Sequence, residues 1–328
     1  MTGTDKLYLA PFQGITGMVF REVYTKYFKG IDKLFTPFFT GVHKRSNLVT
    51  RSDELHETHH NQVPLVPQIL SKDVDEIVRF ANFCSEKGFK EINWNLGCPY
   101  PRVANKKRGS GMLPHPEMID EILVKISNRM PTQLSVKCRL GYNTSEEILD
   151  LIPIFNRFGI SELIIHARIG KQLYKGDVDI RTFKECIDLC EKPIVYNGDI
   201  FSVEDWKEFQ IDFSGINTWM IGRGLLIDPF LPGDIKDLPV PPFDRKRTIE
   251  KFVTDLYLAY RKRMNNRPQA INVMKELWSF LCYSFDRPDK IFNRIKKCKS
   301  FETYEQAVAG IFKQHAWLGS KARFYAQS

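Results

Sequence analysis

The sequence lacks the paired cysteine motifs that would indicate a zinc site or a disulfide framework. It holds seven cysteines, an odd number, and no two of them are separated by only two residues. Cys186 and Cys190 can share one helix face, but no second ligand pair lies near them, so we interpret them as core residues and expect no bound metal. The spread of the cysteines is typical of reduced thiols in a cytoplasmic protein. The seven positions are 84, 98, 138, 186, 190, 282 and 298.

Long apolar runs, targeting signals and nucleotide-loop fingerprints are also missing. No apolar run approaches the ~20 residues that a membrane-spanning helix needs, so we expect no membrane association. The opening stretch MTGTDKLYLAPFQG shows no basic region followed by an apolar one, and no secretory signal is expected. Neither the G-x-G-x-x-G fingerprint nor a Walker loop occurs, which weakens the case for a doubly wound nucleotide-binding sheet.

Positive charge is abundant but confined to one end of the chain. Residues 245–328 contain 18 lysines and arginines against 7 acidic residues, a net charge of +11, whereas residues 1–244 have a net charge of −2. A basic segment attached to a near-neutral body favours a polyanionic partner such as nucleic acid. A solvated surface without a partner stays the alternative.

Eight short apolar runs alternate with helix-like stretches in the first two thirds of the chain. Strands that are apolar almost throughout are typical of a parallel sheet covered on both faces. Eight such units predict a (β/α)8 barrel, and a doubly wound sheet is the competing architecture. In the fifth unit we expect Thr144 to cap the helix, with Glu147 three residues on. The runs are LYLAPF (7–12), KLFTPFF (33–39), PLVPQIL (64–70), EINWNL (91–96), QLSVKCRLG (133–141), ELIIHAR (162–168), PIVYNGD (193–199) and INTWMIGRG (216–224).

A proline-rich stretch, LPGDIKDLPVPPFDRK, divides the chain into two predicted domains. It indicates a linker at about residues 231–244. Helical patterns dominate after it. The predicted organisation is an α/β barrel at residues 1–235, followed by a small all-helical domain at residues 245–328 that carries the basic charge.

Polar residues gather at the carboxyl ends of the predicted strands, the edge at which barrel enzymes build their sites. Seven of the eight strands contribute. In chain order, the residues are Pro11, Phe12 and Gln13, then Gln68, then Asn95 and Cys98, then Lys137 and Arg139, then His166 and Arg168, then Asn197, Gly198 and Asp199, and last Gly222 and Arg223.

Three of these features point to particular chemistry. Cys98 follows a buried strand and precedes prolines that cannot continue it, although a lone cysteine there is more often a packed loop thiol. The loops NGD and GRG suit a phosphate bound by backbone amides and Arg223, although GRG alone would be a tight turn. Lys137 lies within an apolar strand and needs a partner or a polar ligand.

The motifs and their order resemble those of the tRNA-dihydrouridine synthases along nearly the whole chain. The strongest part is NLGCPYPRVANKKRGSG (95–111), which is similar to the family signature N-x-G-C-P followed by a spaced G-S or G-A. The segments APFQGIT, VKCRLG, IIHAR, NGD and IGRG match in order and spacing. The resemblance implies an FMN-bound barrel that uses NADPH as reductant, followed by a helical tRNA-binding domain.

The resemblance also implies roles for single residues. The flavin ring would be lined by Pro11, Phe12, Gln13 and Gln68, with Lys137 at its pyrimidine edge and His166 nearby. The FMN phosphate would be held by Asn197, Gly198, Asp199, Gly222 and Arg223. The uracil or its neighbouring nucleotides would be faced by Asn95, Arg139 and Arg168.

The implied reaction passes a hydride from flavin N5 to uracil C6 and a proton from Cys98 to C5. The carboxyl-terminal stretch KELWSFLCYSF most resembles the branch that acts on uridine 16 of the D-loop, and we expect a monomer. Two features depart from the family pattern: Phe12 stands where methionine is common, and the loop ANKKRGSG is unusually basic. The implied tRNA phosphate contacts are Lys106, Lys107 and Arg108 in that loop and Arg294, Lys296, Lys297 and Lys299 in the helical domain.

Two other classes of protein stay open at this point. An FMN barrel acting on a free pyrimidine, like dihydroorotate dehydrogenase, does not explain a carboxyl-terminal domain with a charge of +11. A non-catalytic RNA-binding protein does not explain the combination of Cys98, Lys137 and His166 with phosphate-type loops.

Overall fold

The computed structural model describes residues 5–42, 52–55, 63–239 and 244–321. All paired strands in these ranges run parallel. The bounds of β5 and β6 are those predicted from the sequence. The strands are β1 Lys6–Leu9, β2 Leu34–Phe35, β3 Leu65–Val66, β4 Gln68–Ile69, β5 Glu91–Leu96, β6 Gln133–Gly141, β7 Ile160–Ile169, β8 Ile194–Asn197 and β9 Thr218–Ile221.

The strands close into a barrel. Seven pair in the order β1-β9-β8-β7-β6-β5-β4, and β2 pairs with β3. Single bridges from Tyr8 to Lys33 and from Phe39 to Ile69 connect the β2 segment to its neighbours on either side. β3 and β4 belong to one predicted run, interrupted at Pro67, which has no N–H to donate. The predicted barrel is therefore confirmed, and the doubly wound alternative is wrong.

Helices follow most strands, and side chains at their N-termini explain several starts. Asp73, Asp179 and Ser202 each accept a hydrogen bond from the backbone N–H three residues on. The helices are α1 Met18–Tyr27, α2 Val74–Glu86, α3 Pro101–Ala104, α4 Pro116–Ser127, α5 Glu147–Arg157, α6 Ile180–Leu189, α7 Val203–Asp212, α8 Arg223–Ile227, α9 Leu231–Ile235, α10 Arg245–Arg263, α11 Gln269–Leu281, α12 Pro288–Lys296 and α13 Phe301–Gln314.

The cap expected at Thr144 is wrong. α5 begins two residues later, after Glu146, which makes no capping contact with its side chain. The Glu147 carboxylate instead accepts hydrogen bonds from the backbone N–H groups of Tyr142 and Asn143, at 2.7 and 3.1 Å. The acidic side chain therefore fixes the loop that leaves β6.

The interior of the barrel is apolar at mid-height and sealed at the amino ends of the strands. The mid-height cluster consists of Tyr8, Ala10, Phe35, Val66, Ile164, Val195 and Met220. Below it, Lys33 lies between Glu91 and Glu162, at 3.1 and 2.9 Å. The Tyr8 hydroxyl donates to Glu162 at 3.0 Å. This charged plug leaves the carboxyl ends as the open mouth of the barrel.

Helices α10 to α13 pack on the outside of the barrel. Their apolar side chains join the barrel's helix-to-strand contacts in one continuous core. The Tyr260 hydroxyl donates to the Ile15 carbonyl at 3.2 Å, and the Tyr27 hydroxyl donates to Asp255 at 2.6 Å. No helix among the described residues is both long and apolar enough to cross a membrane.

The predicted linker contains regular structure at its start. Leu231–Ile235 forms the short helix α9, in which Leu231, Pro232 and Ile235 are buried. Residues 240–243 lie outside the described ranges. The division into two functional domains stays a prediction, because the helices share their core with the barrel.

A buried ion pair holds the short turn Ser52–Leu55 against α1. The Arg21 side chain is fully buried and lies 3.0 Å from the Glu54 carboxylate. Replacing Glu54 with alanine removes this carboxylate from beside the buried guanidinium. An uncompensated buried charge typically costs about 3–5 kcal/mol. We expect Glu54→Ala to lose on the order of 3 kcal/mol of unfolding free energy, measured by denaturant titration followed by circular dichroism.

The matched control is Asp75→Ala, which breaks the solvent-exposed pair between Asp75 and Arg129. Exposed pairs contribute about 0–1 kcal/mol, so this variant is expected to stay close to wild type. Equal losses in the two variants would contradict the assignment of the Arg21–Glu54 pair as a stabilising contact.

Candidate active site

One cavity opens at the carboxyl ends of the strands and collects most of the predicted site residues. Residues that come from distant parts of the sequence meet there because parallel strands end at a common edge. The predicted residues that line the cavity are Pro11, Phe12, Gln13, Asn95, Cys98, Lys137, Arg139, His166, Asn197, Gly198, Asp199, Gly222 and Arg223.

The cavity carries an excess of positive charge. Among the described residues, its lining includes four cations, Arg102, Lys137, Arg139 and Arg223, and a single carboxylate, that of Asp199. Burial, reinforced by Arg139, lowers the pKa of Lys137 from 10.5 to about 8. Such a cavity favours an anionic ligand, because an opposite charge would relieve the cost of holding these cations close together.

His166 lies in the same positive field and is neutral. Its pKa is held well below the usual 6.5, first by burial and then by Arg139 and Lys137. The neighbouring Lys137 ammonium donates to the Asn197 side-chain oxygen at 2.8 Å. His166 therefore presents a neutral ring to the cavity and adds no charge to it at neutral pH.

Asp199 holds two arginines in place. Its carboxylate accepts from Arg168 Nη1 at 2.8 Å and from Arg223 Nη2 at 2.5 Å, and Arg168 Nη2 also contacts it. The backbone of Asp199 has a φ of 34°, a left-handed conformation that is unusual for a residue with a side chain. Asp199 was predicted to help hold a phosphate together with its loop neighbours, and that role stays a prediction. Its side-chain contacts make it the residue that orients Arg223.

Arg168 lies behind the cavity wall. Its side chain is fully buried, and besides Asp199 it donates to the Gly176 carbonyl at 2.5 Å. It does not line the cavity, and its implied contact with the uracil or the neighbouring nucleotides stays a prediction. Gln68 is likewise fully buried, and its amide bonds Asn93 and Asn95 at 2.8 and 2.7 Å.

The Cys98 loop is held through its backbone. The Asn95 side-chain oxygen accepts from the Cys98 N–H at 2.9 Å, and the Ser110 hydroxyl donates to the Cys98 carbonyl at 3.1 Å. Arg139 Nε donates to the Gly97 carbonyl at 3.1 Å. Gly109 has a φ of 56°, and a Cβ there would lie 2.7 Å from the Cys98 carbonyl oxygen. The glycine–serine–glycine segment thus packs directly against the cysteine.

The thiol of Cys98 lines the cavity and is 7% exposed. Burial raises its pKa above the usual 9.0, and a hydrogen bond from the Tyr100 backbone, with Arg139 and Arg102, partly opposes that rise. The thiol is therefore protonated at neutral pH and can donate its proton to a bound ligand.

Tyr174 and Ser110 are among the site residues that were not predicted from the sequence. The Tyr174 ring stacks on Phe12 with a centroid separation of 6.4 Å, and the Arg223 guanidinium lies 5.2 Å from its centroid. Tyr174 follows a short turn after β7, in a stretch without periodic pattern. Ser110 belongs to the quoted GSG segment, but only the folded loop shows that it contacts Cys98.

The basic residues predicted to hold tRNA phosphates lie outside the cavity. Lys106 and Lys107 are exposed in the loop after α3, and Arg108 is half-buried. Arg294 is exposed on α12 and donates to Gln314 at 3.2 Å. The remaining three, Lys296, Lys297 and Lys299, are exposed at the end of α12 and just after it.

The cavity suits the flavin mononucleotide that the resemblance implies. Pro11, Phe12 and Met220 offer an apolar wall for a planar ring, and Asn197 and Lys137 offer polar contacts at one edge. At Gly198 an added Cβ would lie 2.9 Å from Val178, in a backbone with a φ of 155°. The close backbone there and the adjacent Arg223 suit an anionic phosphate group.

Comparisons with known proteins point to one family. The model of the dihydrouridine synthase family matches residues 8–316. The chain is 30% identical over 231 residues to tRNA-dihydrouridine synthase B of Pasteurella multocida, covering 69% of this chain and 68% of that protein. It is 28% identical over 306 residues to tRNA-dihydrouridine(16) synthase of Neisseria meningitidis serogroup A, covering 90% of this chain and 91% of that protein.

Solved structures show the same barrel at low sequence identity. The old yellow enzyme homologue from Zymomonas mobilis aligns with a TM-score of 0.54 and 10% identity, covering 72% of this chain and 90% of that chain. Morphinone reductase in complex with tetrahydroNAD aligns with a TM-score of 0.51 and 8% identity, covering 74% and 90%. At these identities the likeness shows the fold alone.

The Lys137 ammonium costs stability when the cavity holds no anion. Its pKa is about 8 in the folded protein against 10.5 normally, so folding is penalised while the group is charged. We expect Lys137→Met to raise the thermal midpoint of the ligand-free protein at pH 7, by about 2–4 °C for each 1 kcal/mol gained. The gain in thermal midpoint should shrink as the pH rises from 8 towards 10.5. In that range Lys137 of the folded wild-type protein loses its proton while the unfolded chain keeps it, so the stability of wild type rises.

The matched control is Lys125→Met, which replaces an exposed lysine on α4. Its thermal midpoint is expected to follow wild type across the same pH range. A Lys137→Met midpoint that lies below wild type at every pH would contradict the assignment of Lys137 as a destabilising charge.

Proposed function

The chain belongs to the dihydrouridine synthase family, and we propose that it reduces the C5–C6 double bond of a D-loop uridine in tRNA. Enzymes of this family are flavin-dependent oxidoreductases, and the chain is an enzyme of that class. The observation that carries the proposal is the protonated thiol of Cys98 in a cavity rich in buried cations. An acid and an anion-binding wall in one cavity are what a reductive protonation on a nucleotide requires.

The cofactor in this proposal is FMN. When bound, it supplies the hydride that adds to C6 of the uracil and receives its electrons from NADPH. Arg223, oriented by Asp199, holds the phosphate at the loops that contain Gly198 and Gly222. Lys137 places a positive charge at one edge of the ring, fixed by its hydrogen bond to Asn197. Neutral His166 donates or accepts a hydrogen bond without adding charge.

Cys98 supplies the proton that the substrate needs at C5. Its elevated pKa keeps the proton on Sγ until the uracil accepts it. The thiolate that remains is stabilised by the Tyr100 backbone N–H and by Arg139 and Arg102, the groups that oppose the rise in its pKa. Asn95 positions this thiol through the Cys98 backbone, and Arg139 does so through Gly97.

In this proposal, basic side chains over a wide protein surface hold the tRNA by its phosphate backbone. The positive excess of residues 245–328 and the basic loop at 105–108 supply cations for phosphates. Recognition of a folded RNA by shape and charge needs no aromatic sheet surface. Affinity is therefore expected to fall steeply with salt. Access of the target base to the cavity requires it to leave its stack, at a cost of about a few kcal/mol.

We place the target at position 16 of the D-loop. The Neisseria meningitidis relative whose name specifies position 16 aligns over 90% of this chain, so the likeness extends into the carboxyl-terminal helices. The Pasteurella multocida relative, of the B type, aligns over 69%. Because the helices are proposed to dock the tRNA, likeness in that region bears on which uridine reaches the cavity.

Removal of the proposed acid tests the reaction. Cys98→Ala is expected to bind flavin and tRNA as wild type does, while dihydrouridine formation falls by about 10²–10⁴-fold, the usual contribution of a positioned acid. The measurement is the dihydrouridine content at each D-loop position, by mass spectrometry of tRNA from cells that lack the protein and express each variant.

Cys190→Ala is the control, because Cys190 is a half-buried thiol outside the cavity. It should restore dihydrouridine fully. Restoration by Cys98→Ala would remove Cys98 from the mechanism. Unchanged dihydrouridine in cells that lack the protein, in a host without a redundant homologue, would instead contradict the proposed function and direct attention to free pyrimidines.

A second test separates phosphate binding from ring binding. Arg223→Gln removes the cation proposed to contact the FMN phosphate. Hydrogen bonds to charged groups contribute about 1.5–3 kcal/mol, so FMN affinity is expected to fall roughly 10- to 100-fold. Riboflavin, which has the same ring and no phosphate, should bind this variant and wild type alike. Visible flavin absorbance and fluorescence titration measure both ligands.

Arg181→Gln, at an exposed position on α6, serves as the matched control and should bind both flavins normally. Equal losses for FMN and riboflavin would show that Arg223 supports the cavity as a whole. That result would overturn its assignment to the phosphate.

A further inference from the structure

One aromatic side chain is exposed beside the proposed acid. Tyr100 is 47% exposed, and the other large exposed apolar residues of the described chain are all aliphatic. Single exposed apolar residues are normal on protein surfaces, so exposure alone carries no function. Tyr100, however, lies two residues after Cys98 and lines the same cavity. Its ring therefore stands on the rim through which a base must pass to reach the thiol.

The backbone under this ring is rigid. Tyr100 lies between Pro99 and Pro101, and each proline fixes its own φ. The Tyr100 carbonyl accepts hydrogen bonds from the backbone N–H groups of Val103 and Ala104, at 2.8 and 2.9 Å, and starts α3. A ring with so little backbone freedom loses little entropy when a ligand stacks on it.

One cation lies over the exposed ring, and two more follow in the same loop. The Arg102 guanidinium lies 5.9 Å from the ring centroid. Lys106 and Lys107 are exposed in the same loop, and Lys72 donates to the Lys106 carbonyl at 3.0 Å. Among the described residues, no carboxylate forms an ion pair with Arg102, Lys106 or Lys107. An aromatic ring among unpaired cations is the combination that binds single-stranded nucleic acid, with a base on the ring and phosphates on the cations.

We propose that Tyr100 is a stacking platform for the base adjacent to the target uridine, with Arg102, Lys106 and Lys107 holding the flanking phosphates. This inference rests on the proposed function, because it assumes that the target uridine enters the cavity next to Cys98. A uridine that leaves its stack removes a stacking partner from its neighbour. The Tyr100 ring replaces that partner, which favours the open form of the loop over the closed one.

The direct test is the fluorescence of 2-aminopurine, which stacking quenches. One tRNA transcript carries 2-aminopurine on the 5′ side of the target uridine, and a second transcript carries it on the 3′ side. With the flavin-loaded full-length protein, we expect quenching of one of the two probes by wild type and by Tyr100→Phe. Tyr100→Ala and Tyr100→Leu should leave both probes unquenched. Leucine keeps an apolar side chain of useful size, so a difference from phenylalanine reports stacking rather than bulk.

Binding and turnover give a second readout. Stacking on an aromatic ring is typically lost with a roughly 5- to 150-fold change in affinity on alanine substitution. We expect Tyr100→Ala to raise the Kd and the KM for tRNA within that range and Tyr100→Phe to restore them. Ile211→Ala, at an exposed position on α7, is the control for loss of an exposed apolar side chain and should match wild type.

The outcomes separate this inference from the proposed function. A wild-type protein that forms no dihydrouridine contradicts the proposed function. An active wild type with equal probe fluorescence in Tyr100→Ala and Tyr100→Phe overturns the stacking role while leaving that function standing. Loss of bound flavin in Tyr100→Ala would also overturn it, because the ring would then belong to the cofactor pocket.

Discussion

Positive charge concentrated at one edge of the barrel is the constraint on which the site depends. Lys137, Arg139, Arg168 and Arg223 lie near one another, and Asp199 is the carboxylate that contacts two of them. Burial and mutual repulsion lower the pKa of Lys137 and Arg139, to about 8 and about 10. The fold keeps these cations charged at neutral pH at a cost to its own stability. A bound anion relieves that cost, so ligand binding and folding stability are linked.

The two-residue period of the strands explains how a barrel with an apolar interior carries this charge. In β6, Ser135, Lys137 and Arg139 alternate with buried apolar residues that face the helices. Along β6, the inward-facing side chains change from the small hydroxyl of Ser135 to the cations Lys137 and Arg139 as the strand approaches the mouth of the barrel. The same alternation in β7 brings His166 and Arg168 to that edge. The charged contacts of Lys33 close the other end, so polar ligands reach the interior from one side only.

The sequence allowed the strands and most of the cavity to be predicted because both depend on local pattern. An apolar run with a polar end, as in β5 up to Asn95, predicts a buried strand whose carboxyl end lies at the mouth of a parallel barrel. Contacts between distant loops could not be predicted in this way. Tyr174 and Ser110 carry no periodic signal, and the carboxylate of Asp199 looked like part of a phosphate loop. The position of Asp199 between two arginines is seen only in the folded chain. The folded chain also shows that Glu147 holds the loop after β6 and does not form a capping box.

The manner in which the Cys98 loop is held bears on its proposed chemistry. Asn95, Ser110 and Arg139 all bond backbone atoms at or beside Cys98. Within the part of the chain that the structure describes, no acidic or basic side chain bonds the sulfur. A base bonded to sulfur would draw off the proton and produce a nucleophile. Burial without such a base keeps the proton on sulfur, while the nearby Tyr100 N–H limits the cost of releasing it. Anchoring through the backbone therefore favours an acid over a nucleophile at this position.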